Sequence, residues 1–494
     1  MYIRCVLTIY ENDFMNTKVK AEDRPIAEPS GYIRAWREAA GQVWASDTEI
    51  SVPVSTVTPM HNVGVIASSH KGSHEKGGAA FQGEAMALGQ GLARDGRLLI
   101  HWGASKGLMK IVRREWEYGA GFCSPNPYKQ PDTDPKDAIT QKQIIFAQSQ
   151  AVLVMPGGIS VIDKLTDALV YNYMEGYKPK GERQLIPVIL VNKDNAFSGF
   201  DDLIKHMIEQ GFCRSQAFGL FTKAQDAQEA LKMLKGLEVQ QLDSIKPIAN
   251  LDSVMNADGT IHDLDSKDHG ALGLQTYKRL LDEEELPDRR RRITVFTGSS
   301  KGIEPIYAKD AFEVGARIQK CGAKLMYGGG RQGSMGAVLD GYSKGISNLE
   351  ISGGVIPVSM RVFAEHENYP SKRQEILCDD IYDRKRIMTH HSDAMIALPG
   401  GLGTLDEILD AIRYNYVCLS IGQIEKMKPV ILLNRNKYWQ PLVDWLKDKV
   451  ERKFVEPTIR NTFTMANTPE EAVERALNFE TARTKPAFPV PDLD

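Results

Sequence analysis

Glu407 follows Arg384 by 23 residues. Between them lie an apolar run, AMIAL, and the glycine-rich string Pro399-Gly-Gly-Leu-Gly-Thr404. A guanidinium, a carboxylate and a glycine turn at a helix start can together hold an anion and act on it. The backbone N–H groups of such a turn and the Thr404 hydroxyl make a cradle for one phosphate. The string lacks the G-x-x-x-x-G-K-[ST] lysine, so it is not a nucleoside-triphosphate loop. A second glycine string, Gly328-Gly-Gly-Arg-Gln-Gly-Ser-Met-Gly336, stands between a strand and a helix, where glycines let backbone approach a ligand closely. Taken alone it is a weak signal, since a tight structural turn would look the same. Arg384, in Arg384-Lys385-x-x-Met388 near a helix start, is a candidate cation for a phosphate or for Glu407, which is expected in the first turn of the helix after the cradle.

The elements that must position these groups alternate apolar, β-branched runs with helical patterns. Strands are expected at Ile293–Thr297, Lys324–Tyr327, Gly354–Pro357, Ala394–Leu398 and Pro429–Leu433. Continuously apolar strands separated by helices indicate an α/β fold with a parallel sheet covered on both faces. Glycine turns directly after strands lie at the carboxyl edge, where open α/β sheets bind ligands.

The pattern occurs twice. Met155-Pro-Gly-Gly-Ile-Ser-Val-Ile-Asp-Lys164 aligns with Leu398-Pro-Gly-Gly-Leu-Gly-Thr-Leu-Asp-Glu407 at an offset of 243, and IPVILVN from Ile186 aligns with KPVILLN from Lys428 at 242. Upstream, VGVIASSHKG from Val63 aligns with ITVFTGSSKG from Ile293 at a smaller offset, and Ser124–Ala138 reads as a loop insertion in the first copy. The expected organisation is an extension at 1–60, a first Rossmann-like domain at 61–238, a linker at 239–290 with a helix at Ala271–Glu285, a second Rossmann-like domain at 291–479, and a tail at 480–494.

The string DRKRIMTHHSDAMIALPGGLGTLDE resembles the signature of the Lonely Guy family, once labelled lysine decarboxylase-like: R-K-x-x-M followed by P-G-G-x-G-T-x-x-E. FTGSS from Phe296 and GGGRQGSMG from Gly328 resemble the family's other nucleotide-contacting segments, so the likeness covers most of 291–479. It implies a dimeric, Rossmann-like enzyme that hydrolyses nucleoside 5'-monophosphates, cytokinin ribotides among them, to free base and ribose 5-phosphate. By position it makes Arg384 and Glu407 the catalytic pair. Ser299, Gly329, Gly330, Arg384, Lys385, Gly400, Gly401, Gly403 and Thr404 become the substrate-binding set. Asp406 departs from the pattern, since many members have a second glutamate there.

The first copy departs further. Gln141 stands for Arg384, Lys164 for Glu407, Ser160 for Gly403 and Val161 for Thr404, while Lys142, Gly157 and Gly158 are kept. A lysine cannot stabilise a developing cation, so this half is expected to be a pseudo-enzyme. The two halves are expected to pack as an internal pseudo-dimer through Leu165, Leu169 and Tyr173 against Ile408, Ile412 and Tyr416. A further homo-oligomer through 1–60 or 243–290 stays open.

Other readings fit less of the pattern. A non-catalytic carrier of nucleotides or phosphorylated cofactors would have little use for the Arg384/Glu407 pair, and decarboxylation would need a pyridoxal-phosphate lysine that nothing marks. With a net charge of −3 the chain has no general attraction to nucleic acid, and Arg289–Arg292 reads as a solvated linker. His390 and His391 are adjacent, so they point about 100° apart on a helix and form no metal pair. No cofactor or metal is expected. The six cysteines pair in no C-x-x-C motif, and no apolar run reaches bilayer length, so a cytoplasmic protein with free thiols is expected.

Overall fold

The computed structural model describes residues 62–72, 78–101, 106–120, 146, 149–175, 185–241, 285, 290–344, 352–357, 374–378 and 381–478. The expectations for 1–60, Ser124–Ala138, Gln141, Lys142, most of Ala271–Glu285 and the tail fall outside these residues.

The first half contains β1 (Asn62–Ile66), α1 (Gly78–Arg94), β2 (Leu98–Ile100), α2 (Gly107–Ala120), β3 (Ala151–Val154), α3 (Ile159–Glu175), β4 (Val188–Val191), α4 (Ser198–Glu209), β5 (Thr222–Ala224) and α5 (Ala227–Gln241). The second contains β6 (Arg292–Phe296), α6 (Pro305–Lys320), β7 (Lys324–Tyr327), α7 (Gly333–Ser343), β8 (Ser352–Pro357), β9 (Gln374–Cys378), α8 (Ile381–His390), β10 (Ala394–Ala397), α9 (Leu402–Ser420), β11 (Val430–Leu433), α10 (Gln440–Glu451), β12 (Thr464–Ala466) and α11 (Pro469–Leu477).

Two parallel sheets result, in the orders β2-β1-β3-β4-β5 and β12-β11-β10-β6-β7-β8-β9. The second repeats the first and adds β8 and β9 at one edge. β2 and β3 begin at Leu98 and Ala151, but β7 and β10 begin at Lys324 and Ala394, so the longer intervening segment belongs to the second half. The insertion assigned to Ser124–Ala138 is thereby corrected. β9 and β12 are strands the sequence pattern missed, because each has polar or charged residues among the apolar ones. The arginine run is not wholly a solvated linker either: Arg292 is the first residue of β6, is 3% exposed, and donates from Nη1 to the His391 carbonyl at 3.1 Å.

Alternation along the second sheet separates its faces. Ile293, Val295, Leu325, Tyr327, Ile396, Leu398, Ile431 and Leu433 pack in one core with residues of α6, α7 and α11. Phe296, Met326, Met395, Ala397, Val430 and Leu432 pack in another with residues of α8, α9 and α10. This second core also contains the apolar interior of the first half, Leu165, Leu169, Phe200 and Phe212 included. The contact runs along two helix pairs, α3 with α9 and α4 with α10. Trp445 on α10 stacks on Phe200 of α4 at 5.1 Å between ring centroids, and Lys449 donates to the Ala196 carbonyl at 2.6 Å. Burying a large apolar side chain is worth on the order of 1.5–3 kcal/mol, so this seam is a substantial source of stability. No helix among the described residues is long and apolar enough to cross a membrane.

Candidate functional site

In the second sheet β6 lies between β7 and β10, and the chain order reverses there. Loops leaving such strands diverge at the carboxyl edge and open a crevice. The loops after β6, β7 and β10 converge at this point. An ideal Cβ placed on Gly298 would stand 3.5 Å from the Gly401 nitrogen, and the Met335 N–H donates to the Gly298 carbonyl at 3.3 Å. Gly329 is buried at φ +80°, a conformation that favours glycine, and it holds the turn after β7 against Ile356. Gly330 lies beside Met335, and Ser299 is exposed with its carbonyl against Gly333.

Pro399 and Gly400 turn the chain after β10, and α9 begins at Leu402 with Gly401 as its N-cap. The helix thus starts three residues earlier than the expected Leu405, and Glu407 lies in its second turn. Gly403 is exposed with nothing near its Cβ position, so the start of the helix is open to solvent there. The Thr404 hydroxyl lies beside Gly400 in a residue that is 3% exposed, and has no hydrogen-bond partner among the described residues. A buried hydroxyl left without a partner is costly, and such groups mark places where a ligand atom fits.

Arg384, on α8, reaches under the β7 turn. Its Nε donates to the Val355 carbonyl at 3.2 Å, its Nη2 donates to the Gly328 carbonyl at 3.4 Å, and its Nη1 stands 3.2 Å from Glu407 Oε1. The Arg384 side chain is 13% exposed and that of Glu407 5%. Burial pushes the Glu407 carboxyl above its ordinary range, and Arg384, then Lys385, pull it back without overcoming burial. The structure therefore brings Arg384, Glu407, Gly328, Gly400, Gly401 and Thr404 to one crevice.

Lys385 goes elsewhere. Its ammonium is 2% exposed, bonded to Asp406 at 2.8 Å and to Asp167 of the first half. Burial opposes its charge, but the surrounding carboxylates, Asp167 first, hold it well above the usual lysine range. The resemblance had grouped Lys385 with substrate-binding residues; consecutive helix positions point about 100° apart, so a helix that aims Arg384 at the crevice turns Lys385 away from it.

Sequence reasoning missed what the first half supplies. The Phe212 carbonyl lies where a Gly401 Cβ would be, 2.6 Å away, with Cys213 Sγ at 3.3 Å. Burial pushes the Cys213 thiol up to about 11, and the Leu402 backbone opposes this. Tyr438, packed edge-on against Phe212 at 5.1 Å, donates its hydroxyl to the Gly400 carbonyl at 2.6 Å. The arrangement is reciprocal: the Phe454 carbonyl and Val455 of the second half cover Gly158. There, however, Val161 stands beside Gly157, and Lys164 donates to the Ser160 carbonyl at 3.0 Å. The one signal that could have found the seam residues was the internal repeat, which keeps Asp163 with Asp406 and Asp167 with Asp410.

The α3–α9 seam is also more polar than the apolar pattern suggested. Leu165, Leu169, Ile408 and Ile412 are buried as expected, but beside them Arg413 bridges Asp163 at 2.8 Å and Asp410 at 2.9 Å. Among the described residues no group of His, Cys, Asp and Glu side chains is arranged to hold a metal ion.

A family model described as "Possible lysine decarboxylase" matches residues 116–234 and 335–476, together more than half of the chain. A probable cytokinin riboside 5'-monophosphate phosphoribohydrolase of Oryza sativa subsp. japonica is 36% identical over 187 residues, covering 38% of this chain and 72% of the relative. A cytokinin riboside 5'-monophosphate phosphoribohydrolase of Rhodococcoides fascians is 30% identical over 186 residues, covering 37% and 87%. Among solved structures, a molybdenum cofactor binding protein from Rippkaea orientalis is similar at 26% identity and a TM-score of 0.29, covering 39% of this chain and 99% of that one.

Proposed function

The chain belongs to the Lonely Guy family, and from that premise we propose that its second half hydrolyses the N-glycosidic bond of nucleoside 5'-monophosphates, with cytokinin riboside 5'-monophosphates as candidate substrates. The observation that carries the reading is the buried Arg384–Glu407 contact beside the glycine turn after β7, a pair the first half has lost to Gln141 and Lys164.

In this reading the substrate phosphate sits on the Gly403 and Thr404 N–H groups in the first turn of α9, which have no carbonyl of their own helix to donate to, and takes the Thr404 hydroxyl as a donor. Breaking the bond between the base nitrogen and ribose C1 sends the electron pair to the base and leaves positive charge on C1 and O4, an oxocarbenium-like state. A fixed, desolvated carboxylate stabilises that charge more than it stabilises the neutral ground state, which is what lowers a barrier. Glu407 supplies it and orients the water, whose oxygen ends on C1 and whose released proton ends on the base nitrogen that took the electron pair. Arg384, pinned by two carbonyls, fixes Glu407 and opposes its protonation. Lys385 is assigned to the seam and not to the substrate.

The first half acts as a pseudo-enzyme that completes the fold as the inner partner of a pseudo-dimer. The α3–α9 and α4–α10 contacts and the reciprocal seating of Phe212 and Phe454 support this.

The deciding experiment incubates the full chain with AMP, GMP, CMP, UMP and a prenylated AMP, and follows free base by chromatography, with the matching nucleosides as controls. Base release confined to nucleotides is expected. Equal release from nucleosides would refute the phosphate argument. Tight nucleotide binding with no release would favour a carrier of nucleotides or phosphorylated cofactors.

A further inference from the structure

Lys385 and Asp406 are the chain neighbours of Arg384 and Glu407, and they are bonded to each other at 2.8 Å. The same ammonium is bonded to Asp167, whose side chain is 1% exposed, and the Thr166 hydroxyl, which donates to the Asp163 carbonyl of its own helix at 2.8 Å, stands 3.4 Å from Asp406 Oδ1. Asp167 of the first half therefore grips, from across the seam, one of the two residues that flank the catalytic pair, and its neighbour Thr166 stands against the other.

The internal repeat sharpens the point. On α3, the positions that correspond to the crevice have changed to Ser160, Val161 and Lys164, while Asp163 and Asp167 match Asp406 and Asp410. The first half has lost its own chemistry and kept the carboxylates that face its neighbour's buried cations. Asp163 and Asp167 do different jobs there: Asp163 pairs with Arg413, well along α9, and acts on Lys385 only as a more distant charge, whereas Asp167 is bonded to the Lys385 ammonium itself.

We propose that Asp167 is a positioning residue for the reaction carried out in the other half of the chain: by clamping Lys385 onto Asp406 it ties α8 to the start of α9 and fixes the distance between Arg384 and Glu407. This rests on the hydrolase reading of that site. The clamp acts on geometry and not on substrate contact, so its loss lowers kcat and leaves KM alone. A misplacement of about 1 Å at a catalytic group costs on the order of 100-fold, and a partial one about 10-fold.

The test compares Asp167→Asn with Asp163→Asn in the full chain. Asp167→Asn keeps the side-chain shape and leaves Lys385 its bond to Asp406, so the fold is expected to persist. We expect kcat for AMP to fall about 10-fold or more in Asp167→Asn, with KM within about two-fold, and to stay within about two-fold in Asp163→Asn. Thr166→Val, which removes the hydroxyl that stands against Asp406 together with its bond to the Asp163 carbonyl, should cost about two- to ten-fold in kcat; it decides the matter if Asp167→Asn does not fold. Equal effects of Asp163→Asn and Asp167→Asn, or no effect of Asp167→Asn or Thr166→Val, would overturn the proposal. If the wild-type chain releases no base, the hydrolase reading fails, and the positioning claim is then read from a crystal structure of Asp167→Asn. A shifted Arg384–Glu407 contact upholds it and an unchanged one overturns it.

Discussion

Replacing Thr404 by valine should push stability and activity in opposite directions. The hydroxyl is buried and has no hydrogen-bond partner among the described residues, and valine has nearly the same shape. The first half already carries Val161 at the matching place, beside its own Pro-Gly-Gly turn. An unsatisfied buried hydroxyl costs about 1–3 kcal/mol. Removing it is therefore expected to stabilise the unliganded protein by about 1 kcal/mol, or roughly 2–4 °C in Tm for a unit of this size. In the nucleotide complex the same hydroxyl donates to a phosphate, a charge-assisted bond worth about 1.5–3 kcal/mol. Its loss should lower kcat/KM for AMP about 10- to 150-fold, since about 1.4 kcal/mol is a factor of ten. Thermal denaturation of the unliganded variant reads the first number and base release the second. A lowered Tm, or activity on AMP within about two-fold of wild type, would show that the hydroxyl is a structural group and not a phosphate donor.

Glu407→Gln and Arg384→Ala should each lower turnover by two or more orders of magnitude. A charge about 4 Å away is worth roughly 4 kcal/mol at an effective dielectric constant of about 20, and only about 1 kcal/mol in bulk water; the 5% exposure of Glu407 places it in the first regime. Lys164→Ala should stay within a few-fold, and equal losses at both sites would contradict a pseudo-enzyme first half. Because burial holds the Glu407 carboxyl of the unliganded protein above its ordinary range and catalysis uses the ionised form, kcat/KM should fall on the acid side with a midpoint above the usual glutamate value near 4.3. Arg384→Ala, which removes the largest influence lowering that value, should move the midpoint of the residual activity further up; a midpoint at or below the usual value in the wild type would refute the assignment. Gly401→Ala would drive a methyl to 2.6 Å from the Phe212 carbonyl, so it should destabilise the full chain by about 1–3 kcal/mol, whereas Gly403→Ala meets open space and should leave the denaturation midpoint unchanged while raising KM. Residues 291–494 expressed alone expose the faces of α9 and α10 that the first half covers, so this fragment should aggregate or dimerise and be rescued by adding 1–240; size-exclusion chromatography with the activity assay reads this, and a soluble, monomeric, fully active fragment would sink the pseudo-dimer.

The residues of the crevice were legible in the sequence because their signals are local. Continuously apolar runs, glycine turns after several of the strands and helical spacing involve neighbours a few positions apart, and the two copies display them twice. The loss of Glu407's counterpart to Lys164 was equally plain. Only the tertiary structure decided what happens at the seam. Lys385 reaches Asp167 across 218 positions and Thr166 reaches Asp406 across 240, and no local period encodes such a pairing. Read along one helix, Asp163 and Asp167, or Asp406 and Asp410, look like a solvated charged face. They are buried because the facing helix brings Lys385 and Arg413, and a charge leaves water at tolerable cost only when a partner of opposite sign is already in place. Likewise Glu407 is identified by its motif, but the upward push on its carboxyl comes from the burial that folding imposes, and the sequence holds the group while the fold sets its chemistry.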